Sequence, residues 1–201
     1  MIFSEEMMKR NVVILTLVMC LLLPFSAFAG ASLDAVQGHV DKVLEVLRDS
    51  SLKAESAKKV KIRAIADEMF DFAELSKRTL AQNWSKFSPA QQKEFINLYK
   101  TLLSDTYSDK ILAYTNEKIV FSKEVPLTDK TVEVRSTVLR KTAEIPINYR
   151  VILKADGWRV YDVVIEGVSL INNYRTQFRE ILLNKPPESL LETLRKKVGK
   201  A

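Results

Sequence analysis

Past Tyr114 the hydrophobic period of this chain changes from that of a helix to that of a strand, so no fold built from one class of secondary structure accommodates both halves. On the N-terminal side Val36, Val40, Val43, Leu44 and Leu47 recur at helical spacing. A second helix is expected from Ser56 to Met69, with Val60, Ala64 and Ile65 inward. "FDFAELSKRTLAQNW" reads as a short helix after Asp71. Ser88, Pro89 and Gln91 then spell the start of a long one: a hydroxyl N-cap, a proline at the first helical position and a glutamine closing the capping box. Its apolar stripe runs through Phe95, Leu98, Tyr99, Leu102, Leu103, Tyr107, Ile111 and Tyr114, with Ser108-Asp109 as a candidate break.

On the C-terminal side the alternation has period two. A strand is expected near Lys118 to Glu124. "TVEVRSTVL" turns Val132, Val134 and Val138 to one face, and "EIPINYRVILK" does the same with Ile145, Ile147, Tyr149, Val151 and Leu153. Ala155-Asp156-Gly157 makes a hairpin turn into a fourth strand, Trp158 to Ile165. Gly167 breaks that strand, and Ser169 caps a helix carrying Leu170, Ile171, Tyr174 and Phe178. Pro186-Pro187 ends it, and "ESLLETLRKK" is a last short helix. The expected fold is α+β: N-terminal helices, a curved four-stranded antiparallel sheet, and C-terminal helices packed on one sheet face.

Residues 1–29 read as a secretory signal. Lys9 and Arg10 precede the apolar run "VVILTLVMCLLLPFSAFA", which closes in Ala27-Phe28-Ala29, an A-x-A cleavage signature, before Gly30. The alternative is a retained membrane anchor, since the run approaches the roughly 20 residues of a span. Pro24 and the small-residue exit favour cleavage. Cys20 is a poor lipidation site, because Met19 stands where a small residue is wanted. Cleavage after Ala29 leaves residues 30–201 as one domain and removes the only cysteine, and with it any disulfide, thiol nucleophile or thiolate metal site.

Catalytic constellations are sparse in what remains. His39 is the only histidine and sits among Val36, Val40 and Val43; G-x-S-x-G is absent, and the chain has five glycines and no glycine-rich phosphate loop. With one histidine and no cysteine, carboxylates alone are left for a metal, and no metal site is assigned. Asp162 and Glu166 flank Val163-Val164-Ile165. Four residues apart on a strand they stand roughly 13 Å apart, beyond the roughly 5–9.5 Å of glycosidase pairs. Both are expected on a solvated outer face. The formal net charge of +6 favours acidic partners, among them anionic lipid headgroups. Export and the lack of a basic run with interleaved aromatics argue against nucleic acid.

What is left is apolar surface. A curved sheet under amphipathic helices can hold a cavity between the layers, with Tyr107, Tyr149, Tyr174 and Phe178 as candidate lining. An ordinary filled core satisfies the same periodicity, which does not separate the two.

"WRVYDVVIEGVSLINNYRTQF" (Trp158 to Phe178) resembles the signature of the MlaC family, periplasmic phospholipid-binding proteins also called toluene-tolerance auxiliary components of an ABC transporter. "FDFAELSKRTLAQNW", "FSPAQQKEFINLYKTLL" and "IPINYRV" resemble its other blocks, in order. Ala81 departs from the pattern, standing where the family often has glycine. The resemblance implies that residues 30–201 form a phospholipid-binding domain of the MlaC type, a carrier and not an enzyme, with no cofactor and a bound diacyl phospholipid as cargo. It implies exchange with an inner-membrane ABC transporter through its MCE-domain subunit and with an outer-membrane lipoprotein–porin complex, in maintenance of outer-membrane lipid asymmetry. A non-catalytic protein-binding module with a filled core and an esterase for apolar substrates are the alternatives.

Under this reading the candidate lipid-binding residues on the long helix are Tyr107 and Ile111. The strands add Val132, Val134, Val138, Ile147, Tyr149, Val151, Tyr161, Val163 and Ile165, and the turn and closing helix add Val168, Leu170, Ile171, Tyr174 and Phe178. Arg175 and Arg179, four apart on one helix face, are candidates for contact with a phosphate or an acidic partner, with plain solvation as the alternative.

Overall fold

A computed structural model describes residues 30–114, 117–141 and 143–199; the expected signal segment, residues 1–29, lies outside the described residues. The helices of the first half are α1 (Ala31–Arg48), α2 (Glu55–Met69), α3 (Phe72–Leu80) and α4 (Pro89–Leu112), with a 3-10 segment, Ala81–Lys86, between the last two. Their starts follow local chemistry. The Asp71 side chain accepts from the Glu74 amide at the head of α3. At α4 the Ser88–Gln91 capping box forms in full, with Pro89 beside it. The candidate break at Ser108-Asp109 does not occur: α4 runs on to Leu112, and Ser108 donates its hydroxyl to the Ser104 carbonyl one turn back.

Helix α2 is rotated from its expected setting. Val60 is 66% exposed, and Ile62 and Met69 are buried in its place; Ala64 is exposed too. The apolar residues of α2 are too few to define its inward face without knowledge of what it packs on, which is chiefly α1.

The second half is a meander of β1 (Lys118–Thr128), β2 (Thr131–Leu139), β3 (Glu144–Lys154) and β4 (Gly157–Ile165). A fifth strand, β5 (Val168–Ser169), is one more than expected, and the order is β1-β2-β3-β4-β5, antiparallel throughout. Strand β5 exists because Glu166 and Gly167 both take positive φ, 49° and 82°, and so fold the chain back on β4 in a two-residue turn. Two helices follow, α5 (Leu170–Leu182), capped by Ser169 at the Asn172 amide, and α6 (Pro187–Val198).

The free edge of β4 is covered twice. β5 pairs with its end, and Phe70 forms a parallel bridge to Val160, with the Asp71 amide donating to the Val160 carbonyl at 2.9 Å. The chain thus passes from α2 over the sheet to α3 beyond its edge. Two cores result. Tyr161 joins α3 to α6 in one, where Phe95, Tyr99, Tyr174 and Phe178 form a cluster of edge-to-face and tilted ring pairs with centroids 5.2–5.6 Å apart. The other lies on the inner face of the sheet under α1.

A bulge in β4 corrects the expected orientation of that strand. Arg150 pairs with Asp162, but Val151 pairs with Val160, so Tyr161 is the extra residue. Val160, not Tyr161, takes the inner position beside Val151. Tyr161 turns into the helical core, with the Arg78 guanidinium 4.2 Å above its ring.

Asp162 is not solvated. It is 1% exposed. Its Oδ2 accepts from Arg150 Nη1 at 3.2 Å and Ser169 Oγ at 2.6 Å, and its Oδ1 from the Ile171 amide at 3.1 Å. Arg150 continues to Glu133 at 3.4 Å, giving a Glu133–Arg150–Asp162 ladder across three paired strands on the face opposite Tyr149. Glu166, by contrast, is exposed as expected.

Asp162→Asn should therefore lower the unfolding free energy by about 3 kcal/mol, because it breaks a buried pair, while Glu166→Gln should change it by less than about 0.5 kcal/mol. Urea unfolding of both variants checks this. Ala81 sits at φ 49°, ψ −121°, a conformation that favours glycine, and its side chain is exposed. Ala81→Gly should raise the urea midpoint by the equivalent of about 1 kcal/mol, against the usual sign for alanine-to-glycine in a helix.

Candidate functional site

The inner face of the sheet is short of atoms. Paired across β2, β3 and β4 are Val138 with Ile145, Ser136 with Ile147 and Ile165, and Tyr149 with Val163. Most are β-branched side chains that stand off the pleat without reaching far. Opposite them α1 presents Val40, Val43, Leu44 and Leu47, α2 presents Ile62, Ile65, Ala66 and Met69, and the second half of α4 presents Leu103, Tyr107 and Ile111. These rows do not meet. They enclose a cavity of about 740 Å³, walled mainly by hydrocarbon and closed at one corner by Leu170. That volume falls in the roughly 300–1,000 Å³ range of small-molecule pockets.

Tyr149 shows the character of the space. Burial pushes its phenol up to about 12, so the group is neutral at physiological pH. Its ring stacks on Phe121 at 6.4 Å. Tyr107 likewise is shifted up by burial, with the Lys110 ammonium 5.3 Å over its ring.

The polar rim is made of Arg63, Asp67, Lys100, Ser104, Ser108, Lys110, Arg140 and Glu166. Three of them, Arg63, Asp67 and Lys100, belong to a ladder of ion pairs along the wall between α2 and α4: Lys59–Asp109 at 2.8 Å, Arg63–Asp105 at 2.7 Å and Asp67–Lys100 at 2.6 Å. The numbers rise on one helix as they fall on the other, one turn per rung. Exposed pairs of this kind contribute about 0–1 kcal/mol each, so this wall is weakly held compared with the aromatic core. Lys110 and Arg140 are exposed cations at the rim, the latter paired with Glu117.

Of the residues expected to line a cavity, Tyr107, Ile111, Val138, Ile147, Tyr149, Val163, Ile165 and Leu170 do so. Val132, Val134 and Val151 lie on the same sheet face beyond the hollow part; Val134 and Val151 are 0% exposed in solid packing. Tyr161, Ile171, Tyr174 and Phe178 belong to the helical core past the β4 edge, and Val168, on the β5 turn, is 58% exposed. Arg175 is committed to structure, donating to the Arg78 carbonyl at 2.7 Å and to Asn172 Oδ1. Arg179 is exposed on α5, away from the lining. Sequence reasoning missed the walls supplied by α1, α2 and Leu103. The spacing of Val40, Val43, Leu44 and Leu47 was a visible signal, but a stripe facing a void reads the same as one facing a core. His39 donates from Nδ1 to the Ala35 carbonyl of its own helix at 2.7 Å. No group of His, Cys, Asp and Glu with metal-binding geometry occurs among the described residues.

Comparison with known proteins adds three findings. The family model described as MlaC protein matches residues 37–196. The intermembrane phospholipid transport system binding protein MlaC of Haemophilus influenzae is 26% identical over 101 residues, 48% of this chain and 47% of that protein, so the match spans about half the relative's length. A phospholipid-binding protein from Ralstonia solanacearum, solved in complex with a phospholipid, superimposes with a TM-score of 0.75 at 26% identity, covering 85% of this chain and 97% of that one.

A hollow site tolerates added volume where a filled core does not. Ile147→Phe, into the cavity, should cost less than about 1 kcal/mol of stability, whereas Val134→Phe, in solid packing on the same sheet face, should cost about 1–3 kcal/mol. Equal losses in urea unfolding would mean that the cavity is closed in solution.

Proposed function

The chain belongs to the MlaC family, and from that premise we propose that it is a periplasmic carrier that holds a diacyl phospholipid by its tails and passes it between the inner and outer membranes. The observation that carries the reading is the cavity of about 740 Å³ with its hydrocarbon walls and polar rim. The Ralstonia solanacearum protein, similar over nearly its whole length, was solved with a phospholipid bound, which supports the same cargo here. The inner-membrane partner is an ABC transporter reached through its MCE-domain subunit, and the outer-membrane partner a lipoprotein–porin complex. The result is lipid asymmetry of the outer membrane and tolerance of solvents such as toluene.

The energetics favour a sheltering pocket over any chemistry. An acyl tail of about fifteen methylenes costs roughly 12 kcal/mol to expose to water at about 0.8 kcal/mol per methylene. Walls of valine, leucine and isoleucine cancel most of that, and apolar contacts are non-directional, so tail length is loosely read. The headgroup stays at the rim, where Lys110 and Arg140 are better placed for a phosphate than Arg175. The carrier performs no reaction: Asp162 is used up in holding β4 to α5, and its remaining task is structural.

Mass spectrometry of an organic extract of the natively purified protein should find about one phospholipid per chain. Ile147→Glu, which sets an unpaired carboxylate against acyl chains, should leave the far-ultraviolet circular dichroism native and lower lipid occupancy at least about tenfold. A ligand-free native protein would point to a protein-binding module, and lysolipid with free fatty acid to an esterase.

A further inference from the structure

Helix α1 supplies one wall of the cavity, and its hold on the sheet begins at a single carboxylate. Glu124 lies on β1 just past a bulge at Ser122, which turns it to the inner face opposite Val134. There it takes three hydrogen bonds from the N-cap and first turn of α1: the Gly30 nitrogen donates to Oε2 at 2.8 Å, and Ser32 Oγ and the Leu33 amide donate to Oε1 at 2.5 Å and 2.7 Å. Ser32 is buried beneath the helix. Burial pushes the Glu124 carboxyl up, but these donors outweigh it and hold the group below its ordinary value, so it is ionised at neutral pH.

The nitrogen at 2.8 Å belongs to the residue that follows Ala27-Phe28-Ala29. Two independent features therefore meet on one bond: a cleavage signature read from sequence, and a carboxylate 94 positions away that grips the atom cleavage would free. We propose that the Ala29–Gly30 peptide bond is the processing site, and that the α-ammonium released there ion-pairs with Glu124, so that removal of the leader itself fastens α1 to the sheet and completes the cavity wall. Hydrolysis by a signal peptidase adds water across that bond. The carboxylate departs on Ala29, and the Gly30 amide nitrogen becomes a protonated amine at the same place.

The change of species alters the strength of the contact. The amide bond to an ionised carboxylate is already charge-assisted, and cleavage adds a full positive charge on the donor, which turns the contact into a salt bridge. The positive end of the α1 dipole opposes a cation here, but two carboxylates face it: Glu124 from β1 and Asp34 from α1 itself, whose oxygen lies 4.0 Å from the Cβ position of Gly30. Lys123, the neighbouring charge on β1, pairs with Arg135 and so points to the opposite sheet face. Before cleavage Gly30 takes φ 97°, a left-handed conformation that suits glycine.

The test uses the full chain, expressed with its leader and purified from the exported fraction. Intact mass and N-terminal sequencing should give Gly30 as the first residue, with Cys20 absent. Urea unfolding is then followed from pH 6 to pH 9.5 for this protein and for the same protein acetylated at its α-amine. The ammonium's folded pKa is raised by its partner, so its contribution is full below the unfolded α-amino value of about 7.7–8.0 and is lost as pH rises through the folded value. At pH 6.5 the unfolding constant of the free-amine form should be about five- to tenfold smaller than that of the acetylated form. The gap should close at the alkaline end, and Glu124→Gln should remove most of it, leaving only what Asp34 contributes. A mature start other than Gly30, or equal stability of the free and acetylated wild-type proteins at pH 6.5, would overturn the proposal, and neither result depends on the variant folding.

Discussion

A carboxylate with no water around it is tolerable only if its lone pairs are filled, and Asp162 has that condition met by three different parts of the chain. Arg150 comes from β3, the Ser169 hydroxyl from β5, and the Ile171 amide from the first turn of α5. Burying this charge unpaired would cost several kcal/mol, so the three donors must arrive together or the fold does not close. That coupling positions the rest. It seats the end of β4, sets the departure of α5, and anchors the Glu133–Arg150 ladder across the outer face of the sheet. The Glu166-Gly167 turn works to the same end by returning Ser169 to the edge of β4.

The division into two cores follows from that seam. Beyond the β4 edge, aromatic rings in edge-to-face contact and the leucines of α6 fill space completely. On the inner face, short β-branched residues meet helices that stand off them, and the space stays open. The filled core and the paired edge carry the stability that a hollow layer does not, because a void forfeits the dispersion contacts of its lining. The walls differ in the same sense. The α1 wall is pinned by a buried serine and a fixed carboxylate at its start, whereas the α2–α4 wall is closed by exposed ion pairs.

Much of this was legible beforehand, and the reasons differ by element. Ser88, Pro89 and Gln91 specify the start of α4 because a cap is local chemistry, satisfied within four residues. β2 and β3 match their expected spans, because alternation over nine or more residues leaves one register that buries the apolar face. Tyr161 was misassigned because a bulge is invisible to alternation: one extra residue inverts every side chain beyond it, and its cause lies in the partner strand and in the helices waiting past the edge. Val60 was misassigned because α2 packs against another helix and a void, so its few apolar residues do not fix its rotation.

The sequence by itself determined the class of the fold, the order of its elements apart from β5, the absence of a thiol from residues 30–201 and the starts of α4 and α5 at their caps. Those are matters of local chemistry and of period, which a chain carries in its own residues. Tertiary structure alone decided which apolar faces meet matter and which meet space. Tyr107 and Phe178 are both large, apolar and correctly spaced, yet one lines a cavity and the other is locked in an aromatic cluster. The hydrophobic effect rewards removal of surface from water without regard to direction, so periodicity says that a face turns inward. Whether anything reaches it from the other side depends on distances between elements far apart in sequence, set here by where Asp162 and Glu124 tie their helices to the sheet.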